Sequence, residues 1–180
     1  MDVDAIPMPE GKSLYPYQVE GVKFLVRTKK SYLTDEMGLG KTVQVIGFTN
    51  FVKPEKILIV CPASLKFNWE SEYRKFSTNN YQIQIIKSNS TKINDDANII
   101  IVSYGTLANG IEKYRNRRFD LIVLDESHYI KNFAAKRTKA VTSLDSEYKI
   151  ALTGTPILNR PAEIYSTVNW LDPSVLGSRH

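Results

Sequence analysis

The sequence predicts an α/β protein: a mostly parallel sheet with helices on both faces. Three observations predict it. Short runs that are nearly all apolar alternate with helical patterns along the 180 residues, as expected of strands covered on both sides. One run leads into a glycine-rich loop and then a helix. Another ends in two adjacent carboxylates.

Residues 1–13, with Pro7, Pro9 and Gly11, read as a flexible lead-in, and the domain itself is expected over residues 14–172. Leu14-Tyr15-Pro16-Tyr17-Gln18 begins a helix, because proline is tolerated in a first turn. Val19, Val22, Leu25 and Val26 recur at helical spacing and give it an apolar face. Ser31 to Thr34 make the first strand, and later strands are expected over 56–61, 81–86, 98–102, 119–124 and 148–152. Helical patterns lie between them at 41–52, 64–76, 103–113 and 134–144, and Pro161 starts a last helix that Asp172-Pro173 breaks. Alternation of this kind specifies β-α-β units. In such sheets ligands sit beyond the carboxyl ends of the strands, so functional residues are expected just after each strand.

Composition bounds the function. With 42% hydrophobic and 24% charged residues the chain is an ordinary globular sequence. Its 24 Lys+Arg against 19 Asp+Glu leave +5, an excess that suits a polyanionic partner and equally a solvated basic face. The lone Cys61 sits in the apolar run Ile57-Leu58-Ile59-Val60, which implies a buried thiol in a reducing compartment and no internal disulfide. His128 and His180 are the only histidines, and no zinc-ligand spacing exists. No run of about 18 apolar residues spans a membrane, and the N-terminus lacks the layout of a secretion signal. The expected compartment is the cytoplasm, a nucleoid or a nucleus.

The loop is Asp35-Glu36-Met37-Gly38-Leu39-Gly40-Lys41-Thr42. Glycines let successive N–H groups converge on one anion, and the helix that follows adds partial positive charge. Lys41 would supply a full charge to the β/γ phosphates and Thr42 a hydroxyl for Mg²⁺. The general pattern G-x-x-x-x-G-K-[ST] asks for glycine where this chain has Asp35, so a glycine-rich turn before a helix is the other reading of the loop alone. The carboxylates are Asp125 and Glu126, which follow Leu121-Ile122-Val123-Leu124. A strand-end carboxylate holds Mg²⁺ in phosphate-loop proteins, and its neighbour can polarise the attacking water. A charged turn capping a helix is the alternative, but the loop upstream favours the functional reading.

Other strand ends are less specific. Ser64 and Lys66 open a helix after Cys61-Pro62, and Ser103 and Tyr104 follow the next strand; each pair fits a nucleic-acid phosphate or a plain cap. Thr153-Gly154-Thr155 can sense the γ-phosphate region or cap a turn. The basic clusters Arg115-Arg117-Arg118 and Lys136-Arg137-Lys139 read as solvated faces. His128 is a candidate relay beside the acids.

Taken in order, these stretches resemble the Swi/Snf-type ATPases of helicase superfamily two, in their first RecA-like lobe. Leu14 to Val22 is similar to that family's Q-type motif, DEMGLGKT over 35–42 to its motif I, CPASLKFNWESE over 61–72 to motif Ia, and IVSYGTL over 101–107 to motif Ib. DESHYIKN over 125–132 resembles motif II, and LTGTPILNRPAEIYS over 152–166 motif III. The resemblance implies a RecA-like, three-layer P-loop NTPase fold with ATP and Mg²⁺ as cofactors. Gln18 would read adenine, and Met37, Gly38, Leu39, Gly40, Lys41 and Thr42 would hold the nucleotide. Lys41, Asp125 and Glu126 would be catalytic, with Thr42 and Asp125 on Mg²⁺. Ser64, Lys66, Ser103 and Tyr104 would contact DNA, and Thr153, Gly154 and Thr155 would couple the two sites. It further implies a duplex-DNA partner and a second RecA-like lobe in the same parent chain, carrying motifs IV to VI and arginine fingers worth on the order of 10³–10⁵ in rate. Residues 173–180 would begin the linker to that lobe, so the chain is expected to be the ATP-binding part of a DNA translocase or remodeller with little turnover alone. An RNA helicase lobe of the same superfamily, or a non-catalytic nucleic-acid-binding module, is the alternative.

Overall fold

The computed structural model describes residues 5–34, 38, 40–132, 134–154 and 161–175, with backbone alone for 161–163. Among these, six strands form one sheet, every pairing parallel: β1 Lys30–Leu33, β2 Ile57–Cys61, β3 Ile83–Ile85, β4 Ile99–Ser103, β5 Phe119–Leu124 and β6 Ser146–Leu152. Their spatial order is β1-β6-β5-β2-β4-β3. β2 lies near the centre and all five of its residues are buried, which is why its sequence runs apolar without alternation.

The helices are α1 Pro16–Thr28, α2 Lys41–Val52, α3 Lys66–Phe76, α4 Tyr104–Asn109, α5 Glu112–Arg115, α6 Lys136–Thr142 and α7 Pro161–Leu171. They divide the core into two clusters, one on each face of the sheet. Val22, Leu25, Val45, Phe48, Trp69 and Tyr73 of α1 to α3 cover alternate strand residues such as Ile57, Ile59 and Val123. Tyr104, Leu107, Tyr114, Val141 and Trp170 cover Leu58, Val60, Ile122 and Leu124 from the other face. The period of two along β2 and β5 thus partitions their side chains between two helical layers. This is the expected three-layer sandwich. No described helix is long and apolar enough to cross a membrane.

Three local differences from the sequence reading have physical causes. The segment expected as one helix over 103–113 is two, α4 and α5, because Gly110 ends α4 and its N–H caps the carbonyls of Thr106 and Leu107. The stretch starting at Ser64 opens with a 3-10 turn, Ala63–Leu65, before α3 begins. The lead-in is anchored at Pro7. The buried Asn50 of α2 donates to the Pro7 carbonyl at 2.9 Å and to the Phe76 carbonyl at 2.9 Å, and accepts from Thr78 N–H, tying the lead-in to α2 and α3. An amide buried this deeply must find partners, and the lead-in supplies one.

Candidate nucleotide site

The loop after β1 and the acids after β5 fall on the same edge of the sheet because all six strands run the same way. β6 lies between those two strands, so Thr153 sits between the loop and the acids. Neighbouring strands are about 4.8 Å apart, which sets the loop and the acids roughly 10 Å from each other. Lys41, first residue of α2, still acts electrostatically on Asp125.

On the loop side, Gly40 is the N-cap of α2 and adopts a left-handed conformation with φ 71° and ψ 43°. Gly38 has φ 90°. Both angles are accessible to glycine at no steric cost. A Cβ on Gly40 would lie 2.4 Å from the Nε2 of Gln18, so the α1 glutamine rests directly against the loop backbone. Gln18 is itself buried, and its Oε1 accepts from Tyr15 N–H at 2.9 Å, fixing the amide at the start of α1. Asp35, Glu36, Met37 and Leu39 lie outside the described residues. Thr42 is half-buried in the first turn of α2.

On the acid side, Asp125 is held from both faces of the sheet. Its Oδ2 accepts from the indole N–H of Trp69 on α3 at 2.9 Å, and its Oδ1 accepts from Glu126 N–H at 2.9 Å. From the opposite layer the Tyr104 hydroxyl of α4 donates to the Asp125 carbonyl at 2.7 Å. Burial lifts the Asp125 carboxyl above the ordinary carboxylate range, and the Trp69 hydrogen bond opposes that lift. The charge of Glu126 raises it further, while Glu126 N–H and the Lys41 charge pull it down. Glu126 adopts φ 49° and ψ 53°, a left-handed conformation uncommon for a residue with a side chain. Its carbonyl accepts from Tyr129 N–H and its Oε2 lies 3.3 Å from His128 Nδ1, so the turn is determined from several directions. His128 Nδ1 is also 3.5 Å from the hydroxyl of the buried Thr153, whose N–H donates to the Leu33 carbonyl of β1. A polar line therefore runs from Glu126 through His128 to the strand end beside the loop. Gly154 follows Thr153, and Thr155 lies outside the described residues.

Two residues read as DNA contacts face inward instead. Lys66 is 8% exposed and its Nζ donates to the Ile86 carbonyl at 3.0 Å. Tyr104 is 3% exposed and serves Asp125. Neither side chain is presented to a phosphate, because each satisfies a main-chain carbonyl inside the fold. Ser64 is exposed in the turn before α3, and Ser103 caps α4 by accepting from Thr106 N–H. No motif marks Trp69 as a partner of Asp125, although a tryptophan N–H buried in an apolar layer needs an acceptor. Nor does any motif mark Gln44. This buried α2 amide lies against Gly21 of α1, where a Cβ would fall 1.9 Å from its Oε1, and it has no hydrogen-bond partner among the described residues.

The arrangement matches a known family. The model of the SNF2-related domain covers residues 17–180. The chain belongs to the SNF2-related family. A SWI/SNF-related matrix-associated actin-dependent regulator of chromatin subfamily A-like protein 1 homolog from Caenorhabditis elegans is 35% identical over 174 residues, covering 93% of the chain and 25% of that protein. The human DNA repair and recombination protein RAD54B is 35% identical, covering 92% of the chain and 21% of that protein. Among solved structures, the Sulfolobus solfataricus SWI2/SNF2 ATPase core in complex with dsDNA superposes with a TM-score of 0.85 and 35% identity, over 93% of the chain and 37% of that core. This SNF2-related chain thus spans about a quarter or less of those two curated relatives.

Proposed function

We propose that the chain is the ATP-binding lobe of a DNA-dependent ATPase that translocates on or remodels duplex DNA or its protein complexes. The observation that carries the reading is the placement of Lys41 and the Gly40 cap opposite a buried, doubly hydrogen-bonded Asp125 on one edge of a parallel sheet. The residues fit a magnesium nucleotide. A hydroxyl at Thr42 and one oriented carboxylate at Asp125 are what Mg²⁺ takes from a protein when phosphates and water complete its shell. When bound, Mg²⁺ would neutralise charge on the β and γ phosphates.

The chain's own residues then divide the work. Backbone N–H groups at the start of α2 and the Lys41 ammonium bind the phosphates. Trp69 and Glu126 N–H keep the Asp125 carboxylate oriented and ionised. Glu126 accepts a proton from the attacking water at its carboxylate, with His128 and Thr153 holding it in place. Gln18, pressed against Gly40, recognises adenine. Duplex DNA is the polyanionic partner, supported by the dsDNA complex of the similar SWI2/SNF2 core, and exposed Ser64 and the α4 N-cap Ser103 are the candidate contacts. Catalysis at full rate needs a second RecA-like lobe to supply cationic groups to the γ-phosphate. A nuclear or nucleoid setting follows from the same reading.

Steady-state ATPase of this chain with and without duplex DNA is the test. The expected result is slow or undetectable hydrolysis in both. Robust DNA-stimulated turnover by the monomeric chain would overturn the two-lobe requirement.

A further inference from the structure

One arginine of the first basic cluster and two lysines of the second, some twenty residues on, come together in the fold. α4, α5 and α6 all lie on the face of the sheet covered by Tyr104, Leu107 and Val141, and the seam between them is an open groove of about 280 Å³. Its floor is apolar: Ala108 lies in the last turn of α4, Ile111 precedes α5, and Ala134 and Ala140 come from the α6 side. Its rim is cationic: Arg115, Lys136 and Lys139, all exposed.

Two of these cations are held across the seam. Lys136 Nζ donates to Asn109 Oδ1 at 2.8 Å, and Arg115 Nε donates to Ser143 Oγ at 3.1 Å. Both acceptors are neutral, so these bonds position the charges without cancelling them. Glu112 pairs with Arg115, while Lys139 has no acidic partner among the described residues. The groove thus keeps a net positive rim over a floor with no polar side chain to satisfy.

We propose that this groove docks an acidic peptide segment that places one or two apolar side chains on the alanine and isoleucine floor and carboxylates on the rim. The volume sits just below the range of about 300–1,000 Å³ typical of small-molecule sites, and suits side chains better than a whole ligand. A phosphate backbone would complement the rim but leave the floor uncovered. An acidic, leucine-bearing segment complements both, which is the pattern of an apolar centre ringed by charge at protein interfaces. The groove uses none of the residues assigned to nucleotide, so its test is independent of that assignment.

The experiment is fluorescence anisotropy of a labelled dodecapeptide of alternating Leu and Glu, titrated with the chain at low ionic strength. Saturable binding is expected, weakened about tenfold or more by Lys136→Glu combined with Lys139→Glu, a loss of about 1.4 kcal/mol. Ala134→Glu, a change at an exposed position of the floor, is expected to weaken it as well. A peptide with Ser in place of Leu is expected to lose most of its affinity. Circular dichroism melts of each variant verify that the fold persists. No binding, binding indifferent to these substitutions, or equal affinity for the Ser peptide would overturn the proposal. Displacement of the peptide by duplex DNA with the same dependence on Lys136 and Lys139 would make the groove a nucleic-acid surface and overturn it too.

Discussion

The strand end at Asp125 and the groove between α4 and α6 are both rich in charge, yet they are built on opposite plans. At Asp125 a single residue is buried and gripped from both helical layers, its carboxylate by Trp69 on one side and its main-chain carbonyl by Tyr104 on the other. In the groove three cations stay in water: Lys136 is tied to a neutral acceptor, Arg115 to a neutral acceptor and to Glu112, and Lys139 to no acid among the described residues. Burying a charge is expensive, so a protein does it only where each oxygen is given a donor. Exposed charges cost little and contribute little to stability. The first plan fixes geometry for chemistry; the second leaves side chains able to meet a partner.

The contrast yields predictions of decreasing size. Asp125→Ala is expected to remove the gain in nucleotide affinity that Mg²⁺ provides, measured as ADP affinity with and without the metal, while no single groove substitution changes it. An unaltered Mg²⁺ effect would detach the acid from the site.

Trp69→Phe keeps an aromatic ring in the core but leaves a buried carboxylate oxygen unpaired, at a cost of about 1–3 kcal/mol in urea unfolding at neutral pH. The sign of its pH dependence follows from the raised Asp125 carboxyl. Folded Asp125 holds its proton more tightly than the unfolded chain does, so ionised Asp125 opposes folding at neutral pH and this opposition fades as pH falls through the raised value. Trp69 relieves that opposition only while Asp125 is ionised. The stability gap between wild type and Trp69→Phe should therefore narrow on acidification; a gap that widens would refute the assignment of the indole to the carboxylate.

Tyr104→Phe is expected to lose about 1 kcal/mol of stability with no change in affinity for duplex DNA. A DNA-binding defect with stability intact would restore the surface role that the fold denies it. The smallest effect concerns Cys61, whose thiol burial pushes up to about 12. Iodoacetamide at mildly alkaline pH should leave the native chain unmodified and alkylate it in urea, as read by intact mass.

Most of the fold was legible because its strands are buried on both faces. Ile57 to Cys61 and Leu121 to Leu124 are apolar without a break, and such runs between helical patterns leave few alternatives. The order of residues around the loop and the acids was legible as well, since parallel strands deliver successive strand ends to one edge. Side-chain direction was not. Lys66 reads as a cation for a nucleic-acid phosphate, but its aliphatic stem is buried and its ammonium meets the Ile86 carbonyl, an acceptor twenty residues away in the chain. Tyr104 and Trp69 converge on Asp125 from opposite layers, and nothing local to either residue announces that meeting. The groove was hidden for the same reason: Arg115 and Lys136 look like separate polar faces until α5 and α6 are set side by side.

The central claim is that Lys41 and the acids form one nucleotide site on this edge of the sheet. Calorimetric titration of ADP·Mg²⁺ into the wild-type chain and into Lys41→Ala tests it most directly. The account predicts one site in the wild type, a loss of affinity of at least about a hundredfold in the variant, or roughly 2.7 kcal/mol, and an unfolding midpoint without nucleotide that stays within the scatter of surface substitutions. Equal affinity in both proteins would contradict it.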